Sequence, residues 1–202
     1  MRNIIIREDT LLDFGAEIIG LNPLDLLFEE NARPEFYFQI IEGEVKLSNY
    51  KENNEEFIQS IHYQGESVGE IFLFYMHHRY PANAVATKES KVLRLEYSKF
   101  TDLLESSVDL QLEFLRYCAQ RTYYSYIFLK SLTSEDATHQ VITVLNYLKE
   151  KQSLTERYSF EIPYTRKELS SLTGLRTETV IRILKKLQGE KVVQIVKGRV
   201  YY

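Results

Sequence analysis

The sequence predicts an α+β protein: short strands closing into a sandwich or barrel, then a long helix, then a C-terminal winged helix-turn-helix. Three observations carry this. Apolar and polar side chains alternate in short runs up to about residue 97. From Ser98 to about Leu132 there is no Gly or Pro, and apolar residues recur at helical spacing. Residues 165–188 then write two amphipathic helices around a glycine. The boundaries expected from these changes of texture are 1–97, 98–132 and 133–202.

In the first segment, Phe36–Ile41 is a β-rich run ending at Glu42-Gly43, and Glu44–Asn49 alternates with the period of a half-buried strand. Lys51–Glu56 is a polar turn, Phe57–His62 alternates again, and Gly65 and Gly69 punctuate. Val85–Glu96 is a further strand region. Many short strands at close, even spacing indicate a sandwich or barrel.

In the second segment, Leu112, Leu115, Ala119, Thr122, Tyr126 and Leu129 fall on alternating steps of three and four, a heptad-like seam broken by one Thr. Phe114, Tyr117, Tyr124 and Phe128 form a second stripe. A helix apolar on two sides must cover both, one against its own domain and one against a partner, so dimerisation is expected.

The third segment opens with a helix from about Glu135 to Lys151 that turns Val141, Ile142, Val144, Leu145 and Leu148 inward. Tyr158–Pro163 reads as a short strand. Thr165 with Glu168 makes a capping box, Leu169 and Leu172 give one stripe, and Gly174 follows where a left-handed cap is cheap only for glycine. From Arg176 to Gln188 a second helix buries Val180, Ile183, Leu184 and Leu187, leaving Thr177, Glu178, Ile181, Arg182 and Lys185 on the opposite face. Val192–Val196, a Lys197-Gly198 turn and Arg199–Tyr202 form a hairpin.

The net charge of −4 hides an asymmetry. From residue 139 onward twelve Lys and Arg face six Glu, a net +6, which leaves −10 on the rest. A basic module of this shape on an acidic body fits polyanion binding. One cysteine, Cys118, excludes an internal disulfide and an intrachain four-cysteine iron–sulfur or zinc site. It is expected to be a small buried apolar group. No run approaches a membrane span, and Met1–Asp9 lacks a signal-peptide core, so a cytoplasmic location without membrane attachment is expected. With no phosphate-cradling Gly-rich loop, metal-spaced His/Glu set or nucleophile motif, the chain is not expected to be an enzyme.

Arg166–Leu169 through Gly174 to Glu178–Leu187 resembles, nearly position for position, the helix-turn-helix of the CRP/FNR family of bacterial transcription regulators. Ile41–Leu47 is similar to the glycine-punctuated strand of that family's β-roll, and Gly69-Glu70-Ile71 to the start of its effector-pocket cassette. The resemblance spans nearly the whole chain, although the N-terminus looks short for the family's helical lead-in. It implies an antiparallel, jelly-roll-like β-roll as sensor domain, a dimerisation helix, and a homodimer on palindromic double-stranded DNA, with RNA polymerase as a further partner. Thr177, Glu178, Ile181 and Arg182 match the residues that face base edges; Thr177 stands where some relatives carry a second base-reading Arg. Arg donates two parallel hydrogen bonds to guanine and Glu accepts from cytosine, so Glu178 and Arg182, four apart, can share one G·C pair. The other possibility is a plain i,i+4 ion pair. Thr165, Arg166, Lys185, Lys186, Lys197 and Arg199 are candidate phosphate contacts.

Relatives that bind cyclic AMP use the cassette Glu for the ribose and an Arg about eleven residues past the Gly, followed by a small hydroxyl residue, for the phosphate. Here Glu70 is present, but the Arg position is Tyr80, followed by Pro81. Arg79 is one place early, on the opposite face of extended chain unless a bulge restores it. The pocket candidates are therefore Gly69, Glu70, Arg79 and Tyr80, with Phe72, Phe74 and Tyr75 as possible filling. Cyclic AMP is not expected to bind, nor is haem or metal at His77-His78, His62 or His139, and the effector is unknown. Two alternatives stay open: a constitutive DNA binder without effector, and a nucleotide-sensing module acting through protein contacts.

Overall fold

The computed structural model describes residues 5–50, 52–75, 79–132, 136–152 and 154–202. They fall into two compact units, one ending at Gln120 and one running Arg121–Tyr202. The first contains α1 (Glu8–Asp13), β1 (Glu17–Leu21), β2 (Leu26–Phe28), β3 (Phe36–Glu42), β4 (Glu44–Tyr50), β5 (Glu56–Tyr63), α2 (Glu70–Leu73), β6 (Asn83–Ala86), β7 (Ser90–Glu96) and α3 (Tyr97–Glu105). The boundary between the units falls within α4 (Val108–Leu132).

Two antiparallel sheets, β1-β7-β3 and β2-β6-β4-β5, make the first unit. Side chains alternate across the pleat, so β3 and β7 each serve two cores. Phe38, Ile40 and Val92 join Phe28, Val45, Leu47 and Ala84 in one core drawn from both sheets. Tyr37, Leu93 and Leu95 turn the other way, to Leu11 of α1, Phe100 and Leu103 of α3, and Phe114 of α4. Tyr37 stacks on Phe100 with centroids 4.0 Å apart, and Phe114 meets Tyr37 edge-on. Strand β3 and helix α4 thus share one buried aromatic cluster. The Val85–Glu96 region is two strands, β6 and β7, rather than one. A helical lead-in, α1, is present.

The β3–β4 turn has no room for a side chain. Gly43 sits at φ +100°, and a Cβ there would fall 2.6 Å from the Ser90 Cα and closer still to its side chain. The approach lets the Ser90 hydroxyl accept from the Glu44 N–H at 3.0 Å. Gly43→Ala is expected to destabilise the protein by about 2–5 kcal/mol, from backbone strain plus overpacking. Denaturant unfolding checks it; a loss under ~1 kcal/mol would mean the turn yields easily.

The helical stretch expected over 98–132 is two helices. Two serines part them: the Ser106 hydroxyl donates to the Leu103 carbonyl at 2.6 Å, and the Ser107 hydroxyl accepts from the Leu110 N–H at 3.3 Å, capping α4. Serine competes with the helix for its own backbone groups, and the helical spacing continues across the break.

In the second unit follow α5 (Ala137–Lys151), α6 (Arg166–Thr173), α7 (Thr177–Gly189), β8 (Gln194–Val196) and β9 (Arg199–Tyr201). Asp136 caps α5, accepting from the Thr138 N–H at 2.8 Å, and that bond holds its carboxyl below the usual range. The core gathers Val141, Val144, Leu145 and Leu148 of α5 with Leu169, Leu172, Val180, Ile183, Leu184 and Leu187. Ile142 is only half-buried. The strand expected over 158–163 forms a single bridge, Glu161 to Tyr201, flanked by backbone bonds from Phe160 and Ile162. Pro163 ends it, having no N–H to give. The β8–β9 turn places Lys197 and Gly198 both at positive φ, +48° and +82°, matching the twist of a two-residue hairpin. No helix among the described residues is long and apolar enough to cross a membrane.

Candidate nucleic-acid interface

The helix-turn-helix is held by local chemistry at every joint. At the start of α6 the Thr165 Oγ1 accepts from the Glu168 N–H at 3.2 Å, and Glu168 Oε2 accepts from the Thr165 N–H at 2.7 Å. Gly174 closes α6 in the left-handed region at φ +69°, where a Cβ would be strained. Within the turn the Ser170 hydroxyl donates to the Leu175 carbonyl at 2.7 Å. Val180, Ile183, Leu184 and Leu187 are all buried. Each is worth about 1.5–3 kcal/mol of burial, far above any surface ion pair, so burial sets the rotation of α7.

That rotation turns Glu178, Ile181, Arg182 and Lys185 outward, with Thr177 half-buried. Among the described residues Glu178 and Arg182 make no ion pair or hydrogen bond with each other or with any other group. The i,i+4 pair is therefore not what occupies them. Glu178 also lies in the first turn of α7, where the helix dipole favours its negative charge.

The six phosphate candidates divide. Lys185 and Lys197 are exposed and unpaired among the described residues. Thr165 is exposed, its oxygen taken by the capping box. Arg166 Nη2 donates to the Gly198 carbonyl at 2.8 Å, tying α6 to the wing turn. Lys186 lies 3.9 Å from Glu190. Arg199 is ion-paired to Glu161, which also accepts from the Tyr201 hydroxyl at 3.0 Å. These bonds hold the Glu161 carboxyl below its ordinary value and push Arg199 and Tyr201 up. Arg199 thus clamps the wing base, a role invisible to sequence reasoning because Glu161 is thirty-eight residues away.

Sequence reasoning misses two cations: Lys167 in the first turn of α6 and Arg176 at the N-cap of α7, both exposed. A signal for them exists. Helix N-termini disfavour cations, so a cluster there points to an outside anion.

Along α4, all six seam residues are exposed, among them Leu112 at 44 %, Leu115 at 63 %, Tyr126 at 67 % and Leu129 at 57 %. The second stripe is covered within its own chain. Phe114 is buried, Tyr117 accepts at 3.3 Å from the Ser67 N–H, and Tyr124 packs edge-on against Tyr147 of α5. Cys118 is half-buried beside the aromatic cluster rather than fully enclosed.

Of the four pocket candidates, Gly69 lies against Tyr80, Glu70 is buried and Arg79 is exposed. Gly69, at φ +74°, leads into α2, with the rings of Phe28 and Tyr80 about 3 Å from where a Cβ would stand. Glu70 is 1 % exposed, and burial first, then the charges of Tyr117 and Glu70, push the Tyr37 phenol up. Tyr80 is 2 % exposed and stacks on Phe28 at 3.6 Å. Its N–H donates to the Ala32 carbonyl at 3.0 Å and its carbonyl accepts from the Asn31 N–H at 2.9 Å. Arg79 is exposed and donates to the Asn31 carbonyl at 2.6 Å. Phe72 meets Tyr80 edge-on, but Phe74 packs against Tyr97, Phe100 and Phe114 in the other core, and Tyr75 is exposed.

His62 is buried, with Nδ1 2.8 Å from the Ser67 carbonyl and Nε2 2.9 Å from the Ser60 hydroxyl. Nδ1 must carry the proton there, so both nitrogens are used structurally. His77-His78 lie outside the described residues. No group of three or more metal-ligating side chains occurs among those described.

The chain matches the cyclic nucleotide-binding domain family over residues 20–107 and the Crp-like helix-turn-helix domain family over residues 139–201. It is 27 % identical over 168 residues to the cAMP-activated global transcriptional regulator CRP of Salmonella typhimurium, covering 83 % of this chain and 80 % of that protein. It is 26 % identical over 171 residues to the cAMP-activated global transcriptional regulator Vfr of Pseudomonas aeruginosa, covering 83 % and 79 %. Among solved structures, FixK2 from Bradyrhizobium japonicum shares the fold at a TM-score of 0.76 and 17 % identity, over 92 % of this chain and 91 % of that one. With a sensor-type roll, the long helix α4 and a Crp-like helix-turn-helix in this order, the chain belongs to the CRP/FNR family of transcription regulators, which are not enzymes.

Proposed function

We propose that the chain acts as a homodimer that reads a two-fold DNA site, each copy laying α7 in a major groove. Glu178 and Arg182 read one G·C pair per half-site, with Thr177 and Ile181 beside them on the same face. Thr165, Lys185 and Lys197, joined by Lys167 and Arg176, meet phosphates; Arg166, Lys186 and Arg199 mainly hold the module's own shape. The observation that carries this reading is the exposed, unpaired Glu178–Arg182 face on a basic unit. The uncovered seam of α4 supports the dimer, because a two-fold reader needs two recognition helices one turn of DNA apart. RNA polymerase is the further partner that such a regulator engages.

Cyclic nucleotides do not command this dimer. By the family resemblance Tyr80 stands where a phosphate would need a cation, and Arg79 is exposed and gives one N–H to the Asn31 carbonyl. Affinity for a site selected from genomic DNA is expected to fall steeply with salt, as phosphate contacts require, and to be unchanged by cyclic AMP or cyclic GMP. Calorimetry with both nucleotides on the full chain is expected to show no binding at millimolar ligand. Micromolar binding of either would overturn the effector reading, and salt-independent or absent DNA binding would overturn the reader itself.

A further inference from the structure

Helix α4 has two apolar stripes, and within the first unit they are closely matched. Leu110, Phe114 and Cys118 join the core of Leu11, Tyr37 and Phe100, while Leu112, Leu115 and Ala119 point outward. Hydrophobic burial is non-directional, so it separates two such stripes only weakly. A buried polar contact separates them sharply, because turning the wrong stripe inward leaves a donor unmatched. One polar residue in a coiled-coil seam fixes register in the same way.

The roll offers such a contact. Ser67 is fully buried, and its N–H and its hydroxyl both donate to the Tyr117 hydroxyl of α4 at 3.3 Å. Its carbonyl accepts from His62 Nδ1 at 2.8 Å, and its backbone bridges to Gln39 of β3. Around that bridge the Val68 N–H donates to the Phe38 carbonyl at 3.0 Å and the Ile40 N–H to the Glu66 carbonyl at 2.9 Å. Ser67 is therefore fixed to β3 and β5, and the rotation of α4 is what its contact with Tyr117 sets. Tyr117 stands two residues from both Leu115 and Ala119, a step of about 200° around the helix.

We propose that Tyr117 and Ser67 form a clasp that sets the rotation of α4 on the roll. The bonded Tyr117 hydroxyl turns its own stripe inward and leaves the Leu112–Ala119 stripe for a second copy, the last step resting on the homodimer reading.

Tyr117→Phe tests the clasp on the full chain. The ring stays, and neither core of the roll includes residue 117, so the fold is expected to hold. Hydrogen exchange over residues 108–120 is expected to rise about tenfold while β3 and β7 keep wild-type protection. By sedimentation equilibrium the dimer dissociates about tenfold more readily, although Tyr117 lies off the seam. Ser67→Ala keeps the N–H bond to Tyr117 and raises the same exchange about threefold. In that background Tyr117→Phe has the smaller effect, about threefold, because one of its two bonds is already gone. Wild-type exchange over 108–120 in Tyr117→Phe overturns the clasp. An equal factor in both backgrounds, the mark of two unrelated losses, overturns it as well. If Tyr117→Phe does not fold, Ser67→Ala decides alone, and unchanged exchange there overturns the clasp. A monomeric wild type refutes only the homodimer, and exchange over 108–120 then still decides the clasp.

Discussion

Arg182→Ala is expected to weaken binding to the cognate site by about 1–3 kcal/mol per half-site and to flatten base preference at one pair in each half. The side chain projects from a helix whose rotation four buried residues set, and no described residue competes for its guanidinium. Removing it therefore leaves the fold alone and deletes a contact made only with DNA. Competition binding with all four bases at every half-site position separates this from a phosphate contact. A lost phosphate contact lowers affinity evenly across sequences and reduces the salt slope by about one. If Arg182→Ala keeps the wild-type ranking of bases, Arg182 is not a reader. The same experiment on Glu178→Gln should move preference at that same base pair, since the two side chains sit one helical turn apart.

Leu115→Glu is expected to turn the dimer into monomers and to lower affinity for the full site by at least about a hundredfold, since the linked second half-site is lost. Leu115 is exposed in the single chain, so Glu, a residue of similar helix propensity, does not disturb α4. In a two-fold dimer the change places a charge in the seam of both copies at once. Sedimentation equilibrium reads the oligomer, and gel shifts on full and half sites read the consequence. An unchanged dimer would move the interface off the Leu112–Leu129 seam. A monomer that still binds the full site at wild-type affinity would refute the two-fold reader.

Local signals make the DNA-binding end legible in the sequence. The Thr165–Glu168 box, the left-handed Gly174 and the three-and-four spacing from Val180 to Leu187 each act within one or two helical turns, and all are in the fold. The roll is legible only as alternation. β1 and β2 escape notice because they are short and their registers are set by β7 and β6, 56 to 77 residues on. The α3–α4 break is hidden because helical spacing runs through it and only two serine hydroxyls mark it.

Residue identity and side-chain periodicity are enough to set the order of modules, the buried face of α7 and the lack of an Arg at position 80. A linear string contains both in full. Three other features come from the fold: Glu161 captures Arg199, Tyr80 stacks on Phe28, and the Leu112–Leu129 stripe of α4 is the uncovered one. Each is a choice between partners far apart in the chain, made by which surfaces the folded sheets and helices bring together. Spacing along a helix or strand fixes direction, but not what waits on the other side.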